Sequence, residues 1–166
     1  MDDELLDLVD SNDKVIGTIL RSETEKLTEN KLGFIRASDM FIQNDDGKLW
    51  IPKRTANKKI APNGLDYSMG GHVASGETYI ESALREIQEE LNLTLFENDL
   101  IFVKKFGPTV SPYFRNLYIY KSNNAPDYNP EDFVSASWLT PREVIEKIDA
   151  GVLAKSTLRE TVEVLI

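Results

Sequence analysis

The segment Arg85-Glu86-Ile87-Gln88-Glu89-Glu90 sets three carboxylates and a guanidinium within six residues. Oxygen donors at that density suit a hard divalent cation, Mg2+ or Mn2+, which keeps several waters and shares phosphate oxygens. Whether they converge depends on the backbone. In a helix of about 100° per residue, Glu90 falls roughly 40° to one side of Glu86 and Glu89 roughly 60° to the other. Ile80, Ala83, Leu84, Ile87 and Leu91 recur at helical spacing and define the neighbouring arc, the one that faces a core. The carboxylates therefore border the buried face. Like charges three and four apart repel by about 0.2–0.5 kcal/mol per pair in an isolated helix, and by more beside a core unless a cation joins them. Gly70, Gly71 and Gly76 precede the helix. They allow a tight bend and let backbone carbonyls approach an ion.

The pattern extends beyond the helix. Gly71, Glu77 after five intervening residues, Arg85-Glu86 after seven more, Ile87, Glu89-Glu90, Asn92 and Leu93 resemble the signature of the Nudix hydrolases. Asn92 stands where that family has Gly. Asn is the next residue after Gly to accept a left-handed helix end, so the same C-terminal turn is expected. The resemblance implies a Nudix fold of the α+β class, a mixed sheet sandwiched between helices. It implies that Glu86, Glu89 and Glu90, with the Gly71 carbonyl, bind Mg2+ or Mn2+, or that one of them, Glu89 first, serves as general base to a water. Arg85 would hold the carboxylates in place and pair with Glu77, with Gly76 in the bend. The implied reaction is attack of water on phosphorus in a diphosphate linkage of a nucleoside diphosphate derivative or a similar small diphosphate. Metal ions neutralise phosphate oxygens and acidify bound water, so no Ser, Cys or His nucleophile is required.

A second resemblance reaches further. Residues 8–17, Arg36-Ala37 and Pro52-Lys53-Arg54 look like the amino-terminal half of isopentenyl diphosphate isomerases, which share the Nudix fold. Such isomerases carry a catalytic Cys where this chain has Gly70, and this chain has no Cys at all. The resemblance is thus to an isomerase-like branch of the family whose chemistry is hydrolytic. Isomerisation of an allylic diphosphate and non-catalytic sensing of a nucleotide ligand are the alternatives.

Further candidates lie outside the motif. His72, the one His in the chain, would be a metal ligand or substrate contact by resemblance to the isomerases, or else structural. Lys53 and Arg54 open the densest basic patch, with Lys58 and Lys59, and suit a phosphate. Tyr113 is a candidate to stack on a base. Glu131 is a candidate for a further loop carboxylate.

These residues need a scaffold. Runs at 5–9 and 14–20 around Asp10-Ser11-Asn12-Asp13 predict a hairpin, and 21–31 a polar linker with Ser22 as a helix N-cap. Runs at 34–43 and 48–53 around Asn44-Asp45-Asp46-Gly47 predict a second hairpin. Residues 54–64 read as a loop, 66–74 as a strand entering a bend, and 78–91 as the clearest helix. Strands are expected at 100–106, 114–120 and 133–138. Thr140-Pro141-Arg142-Glu143 carries an N-cap, a Pro and a capping-box Glu, so a helix should run from there to Gly151. Thr157 opens a last one. The expected division is an N-terminal hairpin and linker at 1–31, followed by a Nudix domain at 32–166.

Composition excludes other classes. The absence of Cys removes disulfides, thiolate zinc sites and cysteine nucleophiles. No apolar run approaches the roughly 20 residues of a spanning helix. The acidic first twenty residues show no secretion signal, which predicts a cytoplasmic protein without membrane partners. A net charge of −9 argues against nucleic-acid polymers as partners, and the resemblance is compatible with a homodimer.

Overall fold

The structure, a computed structural model, describes residues 3–166. The chain opens with an antiparallel hairpin of β1 (Leu5–Val9) and β2 (Val15–Leu20). Its turn is made by Asp10, whose carboxylate accepts from the N–H groups of Asn12 and Lys14. Asp13 completes it in a left-handed conformation, φ 60°, which Asp tolerates better than most residues. A 3-10 turn at Arg21–Glu23 and a short helix α1 (Lys26–Asn30) follow. Ser22, the expected N-cap, lies inside that turn and bonds Asp3 instead, so α1 begins later and without a side-chain cap.

β3 (Ile35–Gln43) and β4 (Leu49–Arg54) flank the predicted turn, where Gly47 takes φ 74°. They pair only beside it, at Gln43 and Leu49. Beyond that point the buried Ser68 hydroxyl accepts from the Ile42 N–H and donates to the Trp50 carbonyl. It bridges backbone groups that would otherwise close a ladder. β5 (Met69–His72) then pairs antiparallel with β3. The strand expected over 66–74 is shorter for the same reason: Asp66 and Ser68 turn their side chains onto backbone groups, Asp66 accepting from the Tyr67 N–H.

α2 (Tyr79–Leu91) starts at a Thr78–Glu81 capping box and ends on Asn92 at φ 52°, the left-handed turn expected there. β6 (Leu100–Phe106), β7 (Tyr113–Lys121), β8 (Phe133–Leu139), α3 (Pro141–Asp149) and α4 (Leu158–Glu163) complete the chain. The sheet order is β6-β7-β3-β4-β8, with β5 added on β3. The β3–β7 pair is parallel and the others antiparallel, which gives the expected mixed sheet. On one face Ala83, Ile87 and Leu91 of α2 pack on Met40, Ile42, Met69 and Tyr118. On the other, Val144 of α3 and Leu158 and Val162 of α4 pack on Phe41, Ile51 and Leu117. Each such aliphatic side chain contributes about 1.5–3 kcal/mol on burial. Among the described residues no helix is long and apolar enough to cross a membrane.

The hairpin is fastened at the end of β1 by a bridge of Val9 to Phe34, and at two further places. Its inner strand bridges the bend before α2, Leu6 opposite Ala74, and the Asp7 carboxylate accepts from the Ser75 hydroxyl and the Gly76 N–H. Its tip is held through Asp13. Arg36 donates from Nε at 2.6 Å, Tyr79 donates its hydroxyl at 2.8 Å, and Lys105 bonds the same carboxylate. Burial alone would raise the Asp13 pKa, but these donors hold it below the usual carboxylate value. Its contribution to stability is therefore present above the ordinary carboxylate pKa and lost as pH falls through the lowered one. Asp13→Asn keeps the backbone conformation and removes the charge. Urea denaturation at neutral pH should show a loss of about 1–3 kcal/mol, with faster amide exchange in β1 and β2.

Candidate active site

α2 lies across the strand that carries Gly71. A Cβ on Gly71 would sit 2.3 Å from Glu86 Cδ, so only a residue without a side chain lets the Glu86 carboxyl rest against this backbone. Gly76, at φ 84°, turns the chain from β5 into the helix. The next residue, Glu77, folds back: its carboxylate accepts from the Ala74 N–H and takes a two-pronged pair from Arg85, Nε at 2.7 Å and Nη2 at 3.0 Å. Those Arg85 bonds pull the Glu77 pKa down. Arg85 also donates to Glu86 at 2.9 Å, approaches Glu89 at 3.5 Å, and bonds the His72 carbonyl at 3.2 Å. One guanidinium thus ties β5, the bend and the helix together.

The three helix carboxylates sit in different surroundings. Burial pushes the Glu86 carboxyl up to about 7, against the opposing pull of Arg85. Glu90 keeps some exposed surface yet is so enclosed that desolvation, with Asp66, Glu86 and Asp132 adding repulsion, raises it well above its ordinary value. Glu89 is open to solvent, its side chain 57% exposed. Buried carboxylates with raised pKa values are destabilised anions, and oxygen donors of this kind beside a backbone carbonyl fit a hard divalent cation. Among the described residues no three acidic or His side chains already form a finished cage, and Arg85 is the cation in contact with Glu86.

The other predicted residues separate into those near this face and those committed elsewhere. His72 and Tyr113 meet edge to face, ring centroids 5.5 Å apart, both half-buried beside β5. Burial, then Arg21 and Lys155, lower the His72 pKa to about 3, so the ring is neutral at physiological pH. Arg54 reaches the site, but its guanidinium is bound to Asp66 and to the Ile60 carbonyl. Lys53 is exposed on β4 opposite Ser135. Lys58 pairs with Asp132. Glu131 points into solvent, while its neighbour Asp132 is the acid that acts on Glu90.

Four residues of this region were not singled out by the sequence. Asp66, Asp39 and Lys155 line the far side of β5, and Asp7 fastens the bend. Asp39 is buried and paired with Arg115 at 2.8 Å, which in turn donates to Tyr67, Thr161 and Glu160. Burial raises the Asp39 pKa despite Arg115 and Lys155. Neither spacing nor a local motif marks these residues, because most of their partners lie on other segments of the chain.

Comparison with known proteins agrees with the geometry. The family model described as the NUDIX domain matches residues 33–160. The chain is 43% identical to an uncharacterized Nudix hydrolase of Nostoc sp., over 96% of this chain and 94% of that one. It is similar to a crystal structure from Deinococcus radiodurans, with a TM-score of 0.84 at 40% identity, covering 96% of this chain and 98% of that one. A more distant relative is an isopentenyl-diphosphate delta-isomerase of Streptomyces griseus, 28% identical over 86% of this chain and 74% of that one.

The Glu86 carboxyl gives a pH test that needs no substrate. Below its ordinary pKa it is protonated folded or unfolded and costs nothing. As pH rises toward 7 the unfolded chain releases this proton while the folded one retains it, so stability falls. Glu86→Gln removes that loss. With chelator present, its Tm should match the wild type near pH 4 and exceed it by roughly 7–14 °C near pH 8. Equal Tm values at both would refute the buried-anion account.

Proposed function

The chain belongs to the Nudix hydrolase family, and from that premise we propose that it hydrolyses a diphosphate linkage in a nucleoside diphosphate derivative or a similar small diphosphate, with Mg2+ or Mn2+ bound at Glu86, Glu89, Glu90 and the Gly71 carbonyl. The observation that carries this reading is the pair of enclosed carboxylates, Glu86 and Glu90, on the helix face laid against Gly71. Two enclosed carboxylates that repel one another on a single helix face are costly to the fold as anions unless a cation joins them.

When bound, the metal would neutralise phosphate oxygens and acidify a water. The chain's own groups do the rest. Arg85, anchored by Glu77, sets the position of Glu86 and Glu89. Glu89, open to solvent at the end of that network, accepts the proton of the attacking water. The neutral His72 and the Tyr113 ring offer a half-buried aromatic wall to the group joined to the diphosphate. Lys53, exposed on β4, would offer its ammonium to a phosphate from solvent. Arg54 acts on substrate through Asp66, which it holds in place.

The branch and the domain division follow the same reading. The N-terminal hairpin and the similarity to the Streptomyces griseus isomerase support an isomerase-like branch, with residues 1–31 as an extension of a Nudix domain at 32–166. Gly70 argues for hydrolysis within that branch. A Cβ there would lie 3.3 Å from Asp39 Oδ1 and 3.4 Å from Lys155 Nζ, so a thiol at this position would press on both.

A panel of nucleoside diphosphate derivatives incubated with Mg2+ tests the proposal. Two phosphorylated products should appear from at least one compound, and isopentenyl diphosphate should show no double-bond migration. Glu89→Gln and Glu90→Gln should each lower kcat by about 100-fold or more. Full turnover in both variants would exclude the mechanism, and tight binding of a diphosphate without turnover under any divalent metal would exclude hydrolysis in favour of a non-catalytic sensor.

A further inference from the structure

Lys155 belongs to the segment between α3 and α4, far from the family's helix in sequence. Its backbone is fixed: its N–H donates to the Leu65 carbonyl at 3.0 Å, its own carbonyl accepts from Leu158 at 3.0 Å, and Ala154 bridges Leu65. The side chain crosses the edge of β5. Its ammonium stands 3.3 Å from Asp66 Oδ1, 5.9 Å from the centre of the Tyr67 ring, and 3.4 Å from where a Cβ of Gly70 would be. Gly70 therefore provides the space through which it reaches the site.

The ammonium is incompletely satisfied. It has three N–H donors, and the side chain is only 24% exposed. Asp66 already receives Arg54 and the Tyr67 N–H, and its contact with Lys155 is an ion pair without a hydrogen bond. Among the described residues no side-chain hydrogen bond from Lys155 is formed. The neighbouring guanidiniums differ. Arg54 is bound to Asp66, Arg85 to Glu77 and Glu86, and Arg115 to Asp39 and Glu160. A partly enclosed cation with donors left over is free to take a further anionic acceptor. The groups that feel its charge show where that acceptor would lie. Its charge lowers the raised carboxyls of Glu90 and Asp39 and acts on His72 and Tyr113, and its ammonium lies at Gly70, one residue along β5 from the Gly71 on which Glu86 rests.

We propose that Lys155 is a direct cationic ligand for the substrate's diphosphate, holding the phosphoryl oxygens that lie between the Glu86–Glu90 face and the His72–Tyr113 pair. This rests on the diphosphate-hydrolase reading and adds to it a substrate contact from the C-terminal segment, outside the signature. An ammonium at this point also offsets the repulsion between a diphosphate and the surrounding acids, chiefly Asp39, Asp66 and Glu90.

Lys155→Met and Lys155→Arg separate this role from a structural one. Lys155→Met should raise KM for a hydrolysed diphosphate about tenfold or more, with a smaller change in kcat, and Lys155→Arg should return KM to within about threefold of wild type. The Tm of both variants should stay within about 2 °C of wild type. Calorimetry with methylenediphosphonate and Mg2+ reads binding without turnover. Its affinity should fall about tenfold in Lys155→Met and recover in Lys155→Arg. Unchanged diphosphonate affinity in Lys155→Met, a loss carried by kcat alone, or a loss that Arg does not repair would overturn the assignment. Wild-type hydrolysis with an indifferent Lys155→Met would remove this contact and leave the hydrolase reading intact. Diphosphonate binding through Lys155 by a wild type that hydrolyses no diphosphate would do the reverse.

Discussion

The site is governed by one electrostatic constraint: several carboxylates must be kept close together at the edge of β5, partly out of water. The fold meets it by giving most of them a private guanidinium drawn from elsewhere in the chain. Asp39 on β3 has Arg115 from β7, Asp66 has Arg54 from the end of β4, and Glu77 and Glu86 share Arg85. Arginine suits this task because its planar fork bonds two oxygens at once. Loss of one partner from such a pair costs about 3–5 kcal/mol, because the other charge stays buried. The pairs therefore fix the register of β3, β4, β7 and the helices as firmly as the apolar layers do. Glu90 is the exception, enclosed and without an ion pair of its own among the described residues. Its charge is left to Lys155 and to whatever cation the site takes up.

Close approach is the second requirement, and glycine supplies it twice on one short strand. Gly71 lets the Glu86 carboxyl lie on the backbone, and Gly70 lets Lys155 cross the opposite side. The two faces of β5 thus bring an acid and a base to the same strand edge. The hairpin makes that strand rigid from outside. Leu6 bridges Ala74, and Asp7 holds Ser75 and Gly76, so the bend that presents the helix is braced by residues that precede the matched domain at 33–160.

What could be read in the sequence was what is local. The apolar arc of α2, the Asn92 turn, the capping box of α3 and the hairpin at Asp46-Gly47 all follow from neighbours within a few positions, and the structure has them. Arg85 beside Glu77 and Glu86 was expected through the resemblance to the Nudix signature, not through helical spacing alone. The shorter β5 was not visible, since it depends on Ser68 reaching the backbone of two other strands. Lys155, Asp66 and Asp39 were not visible either. Each is an ordinary charged residue in its own segment, and acquires meaning only when β3, the loop before β5 and the C-terminal segment meet. Arg54 shows the converse. It was correctly seen as a basic residue near the glycines, but a sequence cannot say that Asp66 takes up its guanidinium.

The net charge of −9 looks at first like an argument against any phosphate ligand. It acts over the whole surface, however, and is screened beyond about 8–10 Å at ordinary salt. A small diphosphate, the proposed substrate, would meet a local field instead, set by groups within a few ångströms. There the acids are either matched by arginines or placed where a divalent cation would reverse their sign, and Lys155 adds a positive charge that ordinary counter-ion pairing leaves unsaturated. A nucleic-acid polymer would run past this cleft onto the acidic exterior and meet repulsion along its length. The same charges that would repel a polymer are compatible with a small ligand, because the two are distinguished by length as much as by chemistry.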